Sequence, residues 1–294
     1  MQPARSVIRL FSAFLFCLLL FVGCKNDDPP PPPPGETYYP IETDPSLSAD
    51  RAYVYLALND SMVQSLSGIY RARTTRPERE IVWLDGNLSS PSISANFQHC
   101  AALRNDSLIW RRLADSSAPV PTLGMTFDAA CFVGNELVIA AKNSNLYRVT
   151  MPGGSLSFER YGYDPVAVSD TSFLYVAHVS QFEWAIVEVT LSGVVDTLYS
   201  QTSTNRPHWP LLNANRDRLA FTIPAASGYD LIVLNLTNDQ FLTVAQTKYP
   251  KGCMIGNYLL FTGEKPLLNQ VSIFGGSTSL WIYAVPNESA PTAP

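Results

Sequence analysis

His208 and Trp209 stand side by side ahead of a strand-like Pro-Leu-Leu run, and they are the pair in this 294-residue chain best suited to chemistry. An imidazole can move a proton near neutral pH, and an indole offers a flat face to a sugar ring or a cation. A general base needs an orienting partner, and the acids that head neighbouring strand-like runs are Asp128 and Asp164. The acid–base reading therefore requires His208 and one of these carboxylates to meet within hydrogen-bond reach. The structural alternative gives Trp209 to packing between repeats and His208 to capping. Phe182 and Trp184 in the connection 178–184, and Phe274 in the connection 263–279, are candidates for stacking on sugar rings or on a partner's apolar patch. Packing beneath a long loop is their bland alternative. No catalytic residue follows from a linear motif: the chain has no Gly-x-Ser-x-Gly elbow, His-Glu-x-x-His or phosphate-cradling glycine loop.

Metal, cofactor and nucleic-acid chemistry find no support. His99, His178 and His208 show no ligand spacing, and no Cys-x-x-Cys occurs. Cys100, Cys131 and Cys253 each sit in an apolar run, as small buried hydrophobes do. A Cys100–Cys131 bridge between adjacent repeats is the alternative in an oxidising compartment. The chain carries 20 basic against 25 acidic residues. Without a basic stripe to displace counterions from phosphate, nucleic acid is not an expected partner.

The N-terminus sets the address. Arg5 and Arg9 precede an apolar run at 10–22, too short to span a bilayer, which ends at Gly23-Cys24 before Lys25-Asn26-Asp27-Asp28. Phe21-Val22-Gly23-Cys24 resembles the lipobox of bacterial lipoproteins, with Leu20 one place before the usual leucine position. That resemblance implies cleavage before Cys24 and attachment of a lipid to its thiol. Lys25 with Asp27 and Asp28 is similar to surface-export signals of such lipoproteins, and equally fits a solvated linker start. Residues 1–23 are thus expected to be a signal peptide and 24–36 a tethered linker. The six prolines at 29–34 make a stiff spacer of roughly 20 Å, at about 3.1 Å per residue.

The body is repetitive. Pro45, Pro91, Pro165, Pro207 and Pro250 each precede a short strand, at spacings of 46, 74, 42 and 43 residues, with a copy lacking proline near Phe127-Asp128. Further strand-like runs follow in fixed order: second strands such as Phe173-Leu174-Tyr175-Val176 and third strands such as Asp230-Leu231-Ile232-Val233-Leu234. Six third strands imply six units of about forty residues, the repeat of an all-β, six-bladed β-propeller with about four antiparallel strands per blade. The expected boundaries are 37–287 for the propeller and 288–294 for a tail. The last unit lacks an outer strand, so residues 38–43 are expected to pair there and close the ring.

The run Arg206-Pro207-His208-Trp209-Pro210, followed after a turn by Arg218-Leu219-Ala220-Phe221, resembles the repeat of TolB-like six-bladed propellers, although their Asp-Gly turn is absent. The resemblance implies the propeller fold, and propellers of this shape serve as scaffolds, lyases, hydrolase caps and glycan binders. The sequence is accordingly expected to give an outer-membrane lipoprotein, periplasmic or surface-exposed. Its propeller is expected to bind an envelope protein without catalysis, using Trp184, Phe182, Phe274, His208 and Trp209. The alternatives are a carbohydrate-active lyase or hydrolase and a glycan-binding surface lipoprotein.

Overall fold

The computed structural model describes residues 41–59, 64–74, 79–114, 121–247, 250–255, 258–262 and 280–284. All belong to the unit Tyr39–Pro294. Cys24, the proline run, Phe274 and the tail 288–294 lie outside the described residues. Among the described residues, no helix is long and apolar enough to cross a membrane.

The chain folds into consecutive antiparallel meanders. The first blade holds β1 (Ile41–Leu47), β2 (Tyr53–Asn59), β3 (Gly68–Arg73) and β4 (Arg79–Leu84). The second holds β5 (Leu88–Ile93), β6 (His99–Arg104), β7 (Ser107–Arg112) and β8 (Thr122–Thr126). The third holds β9 (Ala129–Val133), β10 (Leu137–Lys142), β11 (Asn145–Thr150) and β12 (Ser155–Tyr161). The fourth holds β13 (Tyr163–Ala167), β14 (Ser172–Ser180), β15 (Glu183–Thr190) and β16 (Val195–Thr202). The fifth holds β17 (His208–Leu212), β18 (Arg218–Pro224), β19 (Tyr229–Asn235) and β20 (Gln240–Thr247). A three-stranded sheet of β21 (Gly252–Ile255), β22 (Tyr258–Thr262) and β23 (Leu280–Ala284) follows. The first strand of each sheet contacts the first strand of the next, and β21 returns to β1, so these strands surround a central axis.

The expectation of a six-bladed propeller is corrected to five blades: among the described residues five sheets are four-stranded blades, and β21–β23 form a three-stranded sheet beside them. The closing pairing is corrected with it. Ile41 to Thr43 continue into β1 and pair with Ala57 to Asn59 of β2, on the axial side of the first blade. One continuous strand through Asp44-Pro45 uses these residues where the sequence reading had divided them between two sheets.

The core lies in the seams between sheets. Successive side chains of a strand point to opposite faces, so a strand buried on both faces feeds two seams. Val54 and Leu56 pack with Cys253 of β21, whereas Tyr55 packs with Cys100 and Ile109 of the second blade. Trp110 meets Phe132 and Val138 across the next seam. Phe173 and Tyr175 pack on Cys131 and Ile139, and Phe221 joins Leu174 and Ile186.

Four innermost strands share a distortion that the alternating pattern alone does not predict. Asp44, Ser90, Asp164 and Trp209 have φ of 53°, 48°, 50° and 51°, and each precedes a proline. The ladder register shifts at each place. A left-handed residue costs roughly 1–2 kcal/mol, but the bulge bends a strand that must fit close to the axis. Proline is tolerated because an axial strand is a sheet edge whose outer N–H groups need no ladder partner. The fifth repeat is therefore aligned by Trp209-Pro210, three residues beyond the Arg206-Pro207 that spacing suggested.

Cys100, Cys131 and Cys253 are buried free thiols, so the alternative Cys100–Cys131 bridge is absent. Burial pushes each of them up to about 12, with Arg111 opposing at Cys100 and Arg51 at Cys253. An unfolded thiol titrates near ~8.5. The folded state thus holds its thiol protons over a window where the unfolded chain loses them. Their linked stability is complete below about pH 8.5 and is lost as pH rises towards 12. A thiol-specific disulfide reagent at pH 8 is expected to leave all three unmodified in the native protein and to titrate them after denaturation. Rapid native labelling would contradict this burial.

Candidate functional site

Each meander reverses at every turn, so loops between blades and connections from second to third strands emerge on the same face. On that face a continuous set of rings and charges crosses the fourth and fifth blades. Asp164 sits on the bulge of β13, and His208 opens β17. His208 Nδ1 lies 3.1 Å from Asp164 Oδ2 and 2.9 Å from Arg206 Nη2. Arg206 Nη2 is 3.7 Å from the same carboxylate oxygen. Nδ1 has a single proton position, so it either donates to Asp164 or accepts from Arg206. In the first tautomer the Nε2 lone pair is free, the arrangement of an oriented general base. The three side chains are only 13% (Asp164), 16% (His208) and 24% (Arg206) exposed, so the cluster is largely folded into the seam.

Aromatic rings extend the cluster on both sides. The Arg206 guanidinium stands 4.1 Å from the Tyr163 ring centroid, and the His208 ring meets Tyr229 edge-on at 5.6 Å. Tyr163 meets Trp184 at 5.9 Å, and Trp184 stacks on His178 at 4.3 Å with 22° between planes. Trp184 is consequently half-buried. Phe182, at the tip of the β14–β15 hairpin, is 49% exposed, and Val179, three residues earlier on the same hairpin, 56%. That hairpin is built from a nine-residue and an eight-residue strand, longer than its counterparts in the other blades.

Trp209 points elsewhere. It packs against the seam between the fifth blade and the last sheet and, across the axis side, against the cluster between the third and fourth blades, and Lys251 Nζ lies 4.8 Å from its ring centroid. It also lines the axial cavity. Asp128 does not join His208: it is exposed, and its carboxylate accepts a 2.7 Å bond from the Asn143 N–H.

A second polar set surrounds the axis. Asp44 Oδ2 accepts the Ser90 N–H at 2.8 Å, Lys251 Nζ lies 3.3 Å from Asp44 Oδ1, and Lys251 donates to Ser90 Oγ at 2.6 Å. This clasp ties the last sheet to the first and second blades. Ser92 Oγ accepts the Phe132 N–H at 2.8 Å, joining the second blade to the third. Below the clasp is an axial cavity of about 90 Å³, lined by every innermost strand and by Arg51. Drug-sized ligands need ~300 Å³ or more, so this cavity admits only a very small ligand. Among the described residues, no group of three or more His, Cys, Asp and Glu is placed to hold a metal ion.

His208, Asp164, Trp184 and Phe182 were legible candidates that the fold brings to one face. Arg206, Tyr163, Tyr229 and Lys251 were not identified as site residues. Alignment on the residue before each bulge proline would have placed Asp44, Ser90, Asp164 and Trp209 in equivalent positions and drawn attention to their neighbours.

No family model matches the chain, and no curated protein matches it. Solved structures do. An oligogalacturonate lyase in complex with manganese is 12% identical, with a TM-score of 0.54 over 83% of this chain and 76% of that one. The β-propeller domain of Cps50 (Swd1) from Myceliophteria thermophila is 11% identical, with a TM-score of 0.52 over 83% of this chain and 97% of that one. TolB from Acinetobacter baumannii is 14% identical, with a TM-score of 0.50 over 69% of this chain. The chain spans about half of that TolB structure, 53%. The likeness is thus shared among propellers of different kinds, and the specific TolB-like six-bladed reading is corrected to a general one. What the chain has in common with these structures is an all-β propeller fold of antiparallel, mainly four-stranded blades.

Proposed function

We propose that the chain is a lipid-anchored protein of the bacterial cell envelope whose propeller binds a protein partner without catalysis. One observation carries this reading: on the face where Asp164, His208 and Arg206 bind one another, the long β14–β15 hairpin presents Phe182 and Val179 to solvent. An aromatic anchor with an aliphatic side chain on the same hairpin, rimmed by exposed His178, Ser180 and Gln181, has the composition of a small protein-binding hot spot. The lipobox-like segment ending at Cys24 and the proline spacer supply the address and the reach.

Phe182→Glu tests the surface. Crosslinking of the native lipoprotein in membranes is expected to yield one stoichiometric partner, lost by tenfold or more in Phe182→Glu. Phe241→Glu, at a 54% exposed side chain on the outer strand β20, is expected to retain it. Equal recovery with both variants would contradict the assignment.

The His208–Asp164 contact favours a second reading, a carbohydrate-active lyase or hydrolase with His208 as base. Turnover of oligosaccharides by the purified protein, abolished in His208→Gln while folding is preserved, would establish it in place of the first. A glycan-binding role without catalysis would instead show as saturable oligosaccharide binding lost in Phe182→Ala.

A further inference from the structure

The axial cavity contains an uncompensated cation. Arg51 lies in the turn between β1 and β2 and reaches the channel, where it lines the cavity of about 90 Å³ and a neighbouring one of about 60 Å³. Among the described residues its Nη1 is shut off from solvent and has no hydrogen-bond partner. Ser46 Oγ, from β1 and lining the larger cavity, is orphaned in the same way. The other axial charges are matched: Asp44 is held by Lys251 and the Ser90 N–H. Asp170 borders the smaller cavity from an exposed position. Burial pushes the Arg51 guanidinium below its ordinary pKa, the sign of a desolvated charge without a counter-ion.

A buried polar atom without a partner costs roughly 1–3 kcal/mol, and more when charged. We propose that the axial cavity binds a small monovalent inorganic anion of halide size, held by Arg51 with the Ser46 hydroxyl as second donor. The volume is that of about three waters at ~30 Å³ each, room for one such ion and a water or two. With Asp44 and Lys251 cancelling, one positive charge remains, which a monovalent ion neutralises. The orphaned donors are two, and Cys131, Leu211 and Met254 put apolar side chains on the remaining walls. A tetrahedral oxoanion would leave most of its acceptors unmet there. The bound ion would tie the β1–β2 turn to the axis and is separate from the protein-binding face.

Thermal unfolding of the purified lipoprotein in sodium chloride, sodium bromide and sodium gluconate at one ionic strength tests this. Gluconate has the charge but is too large to enter. With halide tenfold above its dissociation constant the midpoint is expected to rise by about 3 °C relative to gluconate, and Arg51→Met is expected to lose that difference. Equal midpoints in chloride and gluconate, or an undiminished chloride effect in Arg51→Met, would overturn the proposal. Should Arg51→Met not fold, anomalous diffraction from wild-type crystals in bromide decides: a peak beside Nη1 supports the site and an empty cavity overturns it.

Discussion

Asp44→Ala is expected to lower the unfolding free energy by about 3 kcal/mol, because it leaves a half-desolvated ammonium and an amide N–H without their acceptor. The side chains of Asp44 and Lys251 are only 13% and 18% exposed, so solvent compensates little. Lys251 keeps its bond to Ser90 Oγ and its place over Trp209, which holds the loss below that of a fully stranded charge. Asp44→Asn retains an acceptor for Ser90 and should lose about half as much. With a urea dependence near 3 kcal/mol per molar for a domain of this size, the Asp44→Ala midpoint moves by about 1 M. Glu80→Gln is the control: its pair with Arg71 is exposed, 54% and 36%, and its removal should cost less than about 0.5 kcal/mol. A shift for Asp44→Ala no larger than the control would show that the clasp does not hold the last sheet to the first blade.

Cys24→Ala is expected to remove the mature protein from the membrane altogether. In a lipoprotein the cysteine thiol carries the diacylglycerol, without which cleavage and any further acylation do not follow. Each buried methylene contributes about 0.8 kcal/mol, so two or more acyl chains hold a protein firmly where one holds it marginally. Without the thiol neither lipidation nor the associated cleavage proceeds. The product is then a precursor retaining residues 1–23 or a soluble body released by another peptidase. Electrophoretic mobility distinguishes these from mature lipoprotein. Mature-sized Cys24→Ala protein at wild-type level in the outer-membrane fraction would contradict the anchor.

Strands were legible where residue chemistry and burial agreed. Arg218-Leu219-Ala220-Phe221-Thr222 and Ala185-Ile186-Val187-Glu188-Val189 read as strands because apolar, often β-branched side chains fill seams on both faces. β6 (His99–Arg104) was legible only as an apolar run around Cys100 and not as a second strand of its blade: Cys-Ala-Ala-Leu has little intrinsic strand preference, and its place between two seams decides it. The family-like Asp-Gly turn was legible as absent, but its replacement was not. Arg51, Phe97 and Arg216 take φ of 59°, 58° and 60°, after Ala-Asp or Ala-Asn pairs preceded by Ser48, Ser94 or Asn213. Those three preceding side chains close the turns by bonding backbone N–H groups of the following strands.

The ring closure was misread for a related reason. Residues 38–43 resemble a free strand because Pro45 interrupts the pattern, yet a left-handed Asp44 lets one strand run through the interruption. At the site, His208 stood out by residue type, and Asp164 as an acid at the head of a strand-like run. Arg206 did not, since its role depends on Tyr163, which the sequence places 43 residues earlier and the fold places beneath its guanidinium.

The most direct test of the proposed binding surface is a photoreactive amino acid placed at position 182 of the full-length protein and activated in intact cells, with the same probe at position 241 as reference. The account predicts one dominant protein adduct from 182 and none from 241. Adducts that are absent from 182, or identical from both positions, would contradict the claim that the β14–β15 hairpin is a protein-binding surface.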